Sequence, residues 1–146
     1  MPTPQFEHAL RVRYHETDSQ GIVYHARYLE YLDVAMTEYF RDLGWSYPQL
    51  RAAGCDPSLV RTTLEFKRPA AFDEEIAIRV AATRVGTSSF TLGFQVRRAG
   101  DAELLLVAET VYVNFDPANR HARPLPDAVR ARLAGAIGDA LQVPVA

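Results

Sequence analysis

The feature that most constrains this chain is an apolar stripe between Ala26 and Leu43. Tyr28, Tyr31, Leu32, Ala35, Met36, Tyr39, Phe40 and Leu43 recur at i, i+3, i+4, i+7 spacing. Glu30, Asp33, Thr37, Arg41 and Asp42 fall mostly on the other side, and Gly44 supplies a C-terminal stop. The stripe is wide, and four of its members are aromatic. Such a helix has to be covered on most sides, as a sheet wrapped around it would cover it. Its aromatics therefore read as core rather than as a cofactor box.

The rest of the chain supplies that sheet. Residues 5–15 read as a first strand, with Ala9, Arg11, Arg13 and His15 on one face and Leu10, Val12 and Tyr14 on the other. After a Pro- and Gly-punctuated loop, Trp45 to Pro57, the period becomes two. Val60, Thr62, Leu64 and Phe66 alternate with Arg61, Thr63, Glu65 and Lys67. Pro69 interrupts, and Asp73-Glu74-Glu75 reads as a turn. Ile76, Ile78, Val80 and Ala82 alternate next, followed by a turn or bulge at Gly86-Thr87-Ser88-Ser89 and a further row at Phe90, Leu92, Phe94 and Val96. Ala99-Gly100-Asp101 predicts a hairpin turn. Glu103 to Phe115 predicts a last strand, buried on both faces at its centre and ended by Asp116-Pro117-Ala118-Asn119. Pro126 to Leu141 reads as a weak closing helix. Short connections mean antiparallel pairing. The expected fold class is α+β, a five-stranded antiparallel sheet with one long buried helix. With 146 residues, no repeat and no linker, residues 1–146 read as a single domain.

Charge and composition exclude several functions. The net charge is -2, from 16 basic and 18 acidic residues, and no basic tract stands out, which argues against a nucleic-acid partner. No apolar run approaches the length of a membrane span, so no membrane insertion is expected. Met1-Pro2-Thr3-Pro4-Gln5 lacks a charged-then-apolar signal pattern. The single cysteine, Cys55, permits no internal disulfide, and a reducing cytoplasmic compartment is the simplest expectation. His8, His15 and His121 form no ligand spacing with Cys55 or with each other, so neither a metal nor a cofactor is expected.

Chemistry-bearing residues gather at one junction. Glu16-Thr17-Asp18-Ser19-Gln20-Gly21-Ile22-Val23-Tyr24-His25 joins the first strand to the helix. A helix start offers free N–H groups and a positive dipole end to an oxygen that gains charge. On spacing alone, a turn-forming Asp in a glycine loop with a surface His explains the segment equally well.

The run from Val12 to Tyr31 resembles the opening motif of the hotdog-fold acyl-CoA thioesterases, the 4-hydroxybenzoyl-CoA thioesterase-like family. It is most similar to the bacterial branch associated with the Tol-Pal system. Glu65-Phe66-Lys67-Arg68-Pro69-Ala70, Asp73-Glu74-Glu75-Ile76, Arg84-Val85-Gly86-Thr87-Ser88-Ser89-Phe90, Glu109 and Phe115-Asp116-Pro117 extend the resemblance over residues 8–126. The resemblance implies a helix wrapped by the sheet and either a homodimer joined edge to edge or a homotetramer made of two such dimers. It implies an acyl-CoA substrate and a catalytic carboxylate at Asp18. It places His25 at the helix start, where a backbone N–H meets the thioester oxygen. The aryl-CoA branch has a tyrosine in that place and basic residues near Val85-Gly86-Thr87, which this chain lacks.

The expected reaction is hydrolysis of a small or medium acyl-CoA to free acid and CoA. Asp18 either attacks the thioester or activates a water, and the sequence leaves both routes open. Gly21 lets backbone approach the substrate, and N–H groups near Tyr24 and His25 would polarise the carbonyl. The His25 side chain could reach the departing sulfur. Tyr14 lines the pocket or orients Asp18, its plainer reading being a core tyrosine. Lys67, Thr87, Ser88 and Ser89 would face the site from a partner subunit. Glu16 could serve as the base but reads rather as solvated or salt-bridged, and Glu109, in an apolar strand, reads as held by an arginine. Arg61, Lys67, Arg68, Arg84, Arg97 and Arg98 lie on polar strand faces or at strand ends, where some could meet CoA phosphates. Two other functions fit the same fold: a hydratase or dehydratase, which would bring Asp and His closer in sequence than Asp18 and His25, and a non-catalytic acyl-CoA-binding protein.

Overall fold

The periodic stripe forms the first helix, α1, at Arg27–Leu43. The structure, a computed structural model, describes residues 5–137. Seven stripe residues, Tyr28 to Phe40, are buried. Gly44 ends the helix at φ 119°, a left-handed conformation that glycine adopts without strain, and its N–H donates to the carbonyls of Phe40 and Arg41.

Five strands form one antiparallel sheet in the order β1 (Glu7–Arg11), β3 (Glu75–Val85), β4 (Ser89–Arg98), β5 (Leu104–Asp116) and β2 (Pro57–Phe66). The alternating residues Ile76, Ile78, Val80, Ala82, Phe90, Leu92, Phe94 and Val96 join the α1 stripe in one core. Phe40 meets Phe90 edge-on at 5.6 Å, and Phe90 stacks on Tyr112 at 5.2 Å. Leu105 to Ala108 are all buried, as their continuous apolar run predicts. β3 shifts register between Ala82 and Arg84, and the Ala82 N–H donates to the Tyr39 hydroxyl oxygen, 3.2 Å away. That bond fastens α1 to the sheet.

Several sequence expectations change. The first strand ends at Arg11 rather than running to residue 15, and Tyr14–Glu16 form a 3-10 turn. There the Arg13 N–H donates to the Glu16 carboxylate, a local bond that competes with a sheet ladder. The expected loop after Trp45 contains a helix, α2 (Tyr47–Ala52), started by a capping box between Ser46 and Gln49. β2 begins at Pro57 and has a bulge between Leu59 and Arg61, which leaves Val60 exposed and outside the register with β5. A two-residue strand, β6 (His121–Ala122), pairs with the end of β5. The closing helix, α3, covers Asp127–Gly135, and residues 138–141 of its expected span lie outside the described residues.

Asn114 secures the end of the sheet distant from the Asp18 segment. Its side chain is fully buried, donates to the carbonyls of Gly54 (2.9 Å) and Pro124 (3.0 Å), and accepts from Asp56 N–H at 2.9 Å. Asn114→Ala strands these buried backbone groups and should cost about 2–3 kcal/mol. Urea denaturation should show a lower midpoint with an unchanged slope. A loss under about 0.5 kcal/mol, the range of ordinary surface changes, would contradict this role.

Candidate active site

Asp18 sits on a tight hairpin. Thr17 bridges Val23, the Asp18 N–H donates to Ile22 O (2.9 Å), and the Gly21 N–H donates to Asp18 O (3.0 Å). The Asp18 Oδ1 accepts the Gln20 N–H at 2.8 Å. Among the described residues Oδ2 has no partner, so one carboxylate oxygen holds the turn and the other is available. Gly21 has φ 76°, and a Cβ there would meet open space. The glycine is therefore required by backbone conformation rather than by crowding.

The hairpin is pinned from both sides. Ile22 bridges Ala71, and the Val23 N–H donates to Ala70 O at 2.9 Å. Beneath it lies Glu16, only 3% exposed. Its Oε1 accepts from the Arg13 N–H (2.7 Å) and the Tyr31 hydroxyl (2.9 Å), and its Oε2 accepts from Arg13 Nε and Nη2 at 3.1 and 2.7 Å. Of the two expectations for Glu16, the salt bridge is present and solvent exposure is not. Its backbone carbonyl accepts the Tyr24 N–H at 2.9 Å. One residue thus joins the end of β1, the hairpin and α1.

With Tyr24 N–H occupied, the free donors begin one residue later. Arg27, Tyr28 and Leu29 N–H groups donate to the carbonyls of Tyr24, His25 and Ala26. Among the described residues the N–H groups of His25 and Ala26 donate to nothing. They stand at the entrance to α1, where the helix dipole favours negative charge.

Asp18 and His25 line one cleft of about 300 Å³, together with Gln20, Lys67 and Arg68 and the apolar Ile22, Val23, Tyr28, Phe66 and Pro69. Lys67 therefore reaches the Asp18 cleft within its own chain. Phe66, the last residue of the alternating row that begins at Val60, is 54% exposed and packs edge-on against Tyr28 at 5.6 Å. Its place at a strand end, next to two cations and a proline, was the available signal. Tyr14 is 78% exposed and packs edge-on against Phe72. It is neither a core tyrosine nor a lining residue of this cleft. Tyr24 packs its ring against His25 at 4.5 Å.

Thr87, Ser88 and Ser89 are elsewhere. The Thr87 carbonyl accepts from Leu125 N–H and Arg130 Nη2, while Ser89 pairs with Val113. Lys67 meets β5 at Leu105, eight residues from Val113 and so about 26 Å along the strand. Glu109, half-buried opposite Thr63 and Gly93, makes no ion pair among the described residues. The expected arginine partner is missing because Arg61 and Arg84 sit in the next row, beside Val111 and Thr91. Burial pushes the Cys55 thiol up to about 12, consistent with an inert core residue. A hollow of about 460 Å³ beside α2 contains Tyr47, Arg51, Asp56 and Arg123. Asp56 is already engaged there by the Tyr47 hydroxyl and Arg51, and none of the Glu16–His25 segment lines that hollow.

Burial alone would raise the Glu16 pKa, but the hydrogen bonds from Arg13 and Tyr31 outweigh it and hold the carboxyl below its ordinary value. Such a depressed carboxylate contributes stability that is complete above the unfolded pKa and is lost as pH falls through the folded one. Glu16→Gln should therefore lower stability by about 1–3 kcal/mol at neutral pH. The gap from the native protein should narrow as pH drops below 4.5. Urea denaturation across an acid pH series reads both effects, and a gap independent of pH would refute the assignment.

The chain also matches known proteins along nearly its whole described length. Residues 12–133 match the family model described as the thioesterase-like superfamily. The chain is 31% identical over 131 residues to the acyl-CoA thioester hydrolase YbgC of Escherichia coli O6:H1, covering 90% of this chain and 97% of that one. A crystal structure of a hypothetical protein from Aquifex aeolicus superposes with a TM-score of 0.81 at 26% identity, covering 88% and 98% of the two chains. A 1,4-dihydroxy-2-naphthoyl-CoA thioesterase from Synechocystis shares the fold with a TM-score of 0.80 at 22% identity, covering 90% and 96%. A match that runs from the end of β1 into α3 takes in the Asp18 hairpin, the α1 entrance and the Lys67 strand end together, and the chain belongs to the thioesterase-like superfamily.

Proposed function

We propose that this thioesterase hydrolyses small or medium acyl-CoA thioesters to the free acid and CoA, with Asp18 as the catalytic carboxylate. The observation that carries the reading is the placement of Asp18 and His25 in one apolar-floored cleft, beside two free N–H groups. Hydrolysis of a thioester needs an oxygen nucleophile, a carbonyl polarised towards its oxygen, and a thiolate that can leave. Asp18 Oδ2 supplies the first in either of two ways. It attacks the carbonyl carbon, expels the thiolate and leaves a mixed anhydride for water to open, or it takes a proton from the water that attacks. In both routes the tetrahedral oxyanion lies at the His25 N–H, and the dipole of α1 favours its charge. The His25 side chain stands where it can hydrogen-bond the departing sulfur. Residues 1–146 form a single hotdog domain in this reading, its sheet curled around α1. The protein works in the cytoplasm without a metal.

The assembly in this reading is a homodimer joined through β2, or a homotetramer of such dimers. The sheet has two edges. β1 is five residues long and carries Glu7 and Arg11, whereas β2 has ten residues and exposes Leu59, Val60 and Phe66. Short, charged edges resist pairing and long apolar ones invite it. In an antiparallel β2–β2 union about a two-fold axis, the Pro57 end of one strand lies against the Phe66 end of the other. Pro57 is paired with Asn114, close to the Ser89–Val113 pair. The partner's β3–β4 turn, carrying Thr87, Ser88 and Ser89, is thereby brought towards the cleft, and two equal sites result.

Asp18→Asn keeps the shape and removes nucleophile and base, so turnover of acyl-CoA should fall at least about 100-fold. His25→Ala keeps the backbone donors and should cost less. Thiol release from acetyl- to palmitoyl-CoA, with benzoyl- and phenylacetyl-CoA, measures both. Near-normal turnover in Asp18→Asn removes Asp18 from the mechanism, and a larger loss in His25→Ala makes His25 the principal group.

Sedimentation velocity at micromolar protein should show a dimer or tetramer. Leu59→Lys and Val60→Lys together should shift it towards monomer and reduce activity in parallel. A monomeric species with full turnover would refute the shared site.

A further inference from the structure

β2 ends in an irregular way that concerns charge. The N–H groups of Lys67 and Arg68 both donate to the carbonyl of Leu105, at 2.8 and 3.2 Å. Two consecutive residues thus oppose one on β5, which is the pattern of a β-bulge. A regular strand would send neighbouring side chains to opposite faces. Here both cations line the cleft that contains Asp18 and His25. The bend is held on its far side, where Arg98 Nη2 donates to the carbonyl of Pro69 at 2.9 Å.

We infer that the Lys67–Arg68 bulge binds the phosphate groups of the CoA carrier, an inference that rests on the acyl-CoA reading of the cleft. The surroundings support a polyanion. Asp18 is the sole carboxylate among the described residues lining the cleft. Lys67 has Glu65 at 3.6 Å and Arg68 has Glu103 at 3.5 Å. Neither contact is within hydrogen-bonding geometry, and exposed ion pairs of this kind are weak and screened by salt. A phosphate can take their place with shorter, charge-assisted bonds, Arg68 gripping two oxygens and Lys67 acting as a mobile point charge. Arg98 is already committed to Glu74, Asp101 and Pro69 and is not available. The Gly86-Thr87-Ser88-Ser89 turn has no cation of its own. The apolar residues that line the same cleft, Ile22, Val23, Tyr28 and Phe66, suit the uncharged pantetheine arm. The phosphates then fix one end of the substrate while the thioester sits at the other.

The test compares ligands with and without phosphate. Adenosine 3′,5′-bisphosphate should bind the native protein in calorimetry, weakening with added salt, and should bind Lys67→Gln/Arg68→Gln at least about 10-fold more weakly. In kinetics the double variant should raise KM for an acyl-CoA at least about 10-fold more than KM for the matching S-acyl-pantetheine. The effect on kcat should be small for both. Equal KM changes for the two substrates, or undiminished bisphosphate binding by the variant, would overturn the assignment. Both side chains are exposed, so the variant should fold, and a circular dichroism spectrum equal to that of the native protein checks it. A native protein that binds the bisphosphate through this pair but cleaves no thioester would uphold the phosphate site and sink the hydrolase reading.

Discussion

The burial of α1 against a single antiparallel sheet is the constraint on which everything else depends. Seven large or small apolar residues on one helix cannot be covered by another helix alone when the remaining chain is mostly strand. The sheet covers them with alternate residues of β3, β4 and β5, and the aromatic contacts of Phe40, Phe90 and Tyr112 lock the crossing. Once α1 is fixed, its N-terminus can point only to the region where β1 ends and the hairpin begins. The position of the site follows from core packing before any catalytic residue is considered.

Glu16 converts that placement into alignment. A buried carboxylate normally destabilises a fold unless all its oxygens are satisfied. Here Arg13 and Tyr31 satisfy them from two different elements. The same residue spends its backbone carbonyl on Tyr24, which decides that the next N–H, that of His25, is the first one free. The result is a candidate site assembled from backbone donors and a short hairpin. The price is a charge held out of water, tolerable because the Arg13 guanidinium remains 65% exposed and is only partly desolvated.

Most of the fold was legible because periodicity is a direct imprint of burial. α1 and the rows in β3 and β4 appear in the sequence with near-correct limits. The misses share a cause. α2 is too short to show a period and was visible only through Ser46 and Gln49, and Val60 left its row because a bulge resets alternation without changing composition. Asp18 and His25 could be singled out because they are close in the chain. Phe66, Lys67 and Arg68 stood out only as an aromatic and two cations at a strand end, since their contact with that segment depends on how β2 returns past α1. Glu109 shows the limit of residue-type reasoning: an acid in an apolar strand suggested a partner, but its register neighbours are a threonine and a glycine.

The two ends of β2 give the proposed assembly its logic. The Phe66 end carries the cleft, the bulge and its cations, while the Pro57 end adjoins the Asn114 clamp and the neighbouring β3–β4 turn. Within one chain these ends are too far apart to share a ligand. An antiparallel two-fold union inverts one strand against the other and brings unlike ends together, so each cleft receives a wall it cannot make for itself. In the proposed assembly, substrate binding and edge pairing are separated along a single strand: the exposed Leu59 and Val60 near its start would meet the partner, and the two cations at its end would meet the ligand.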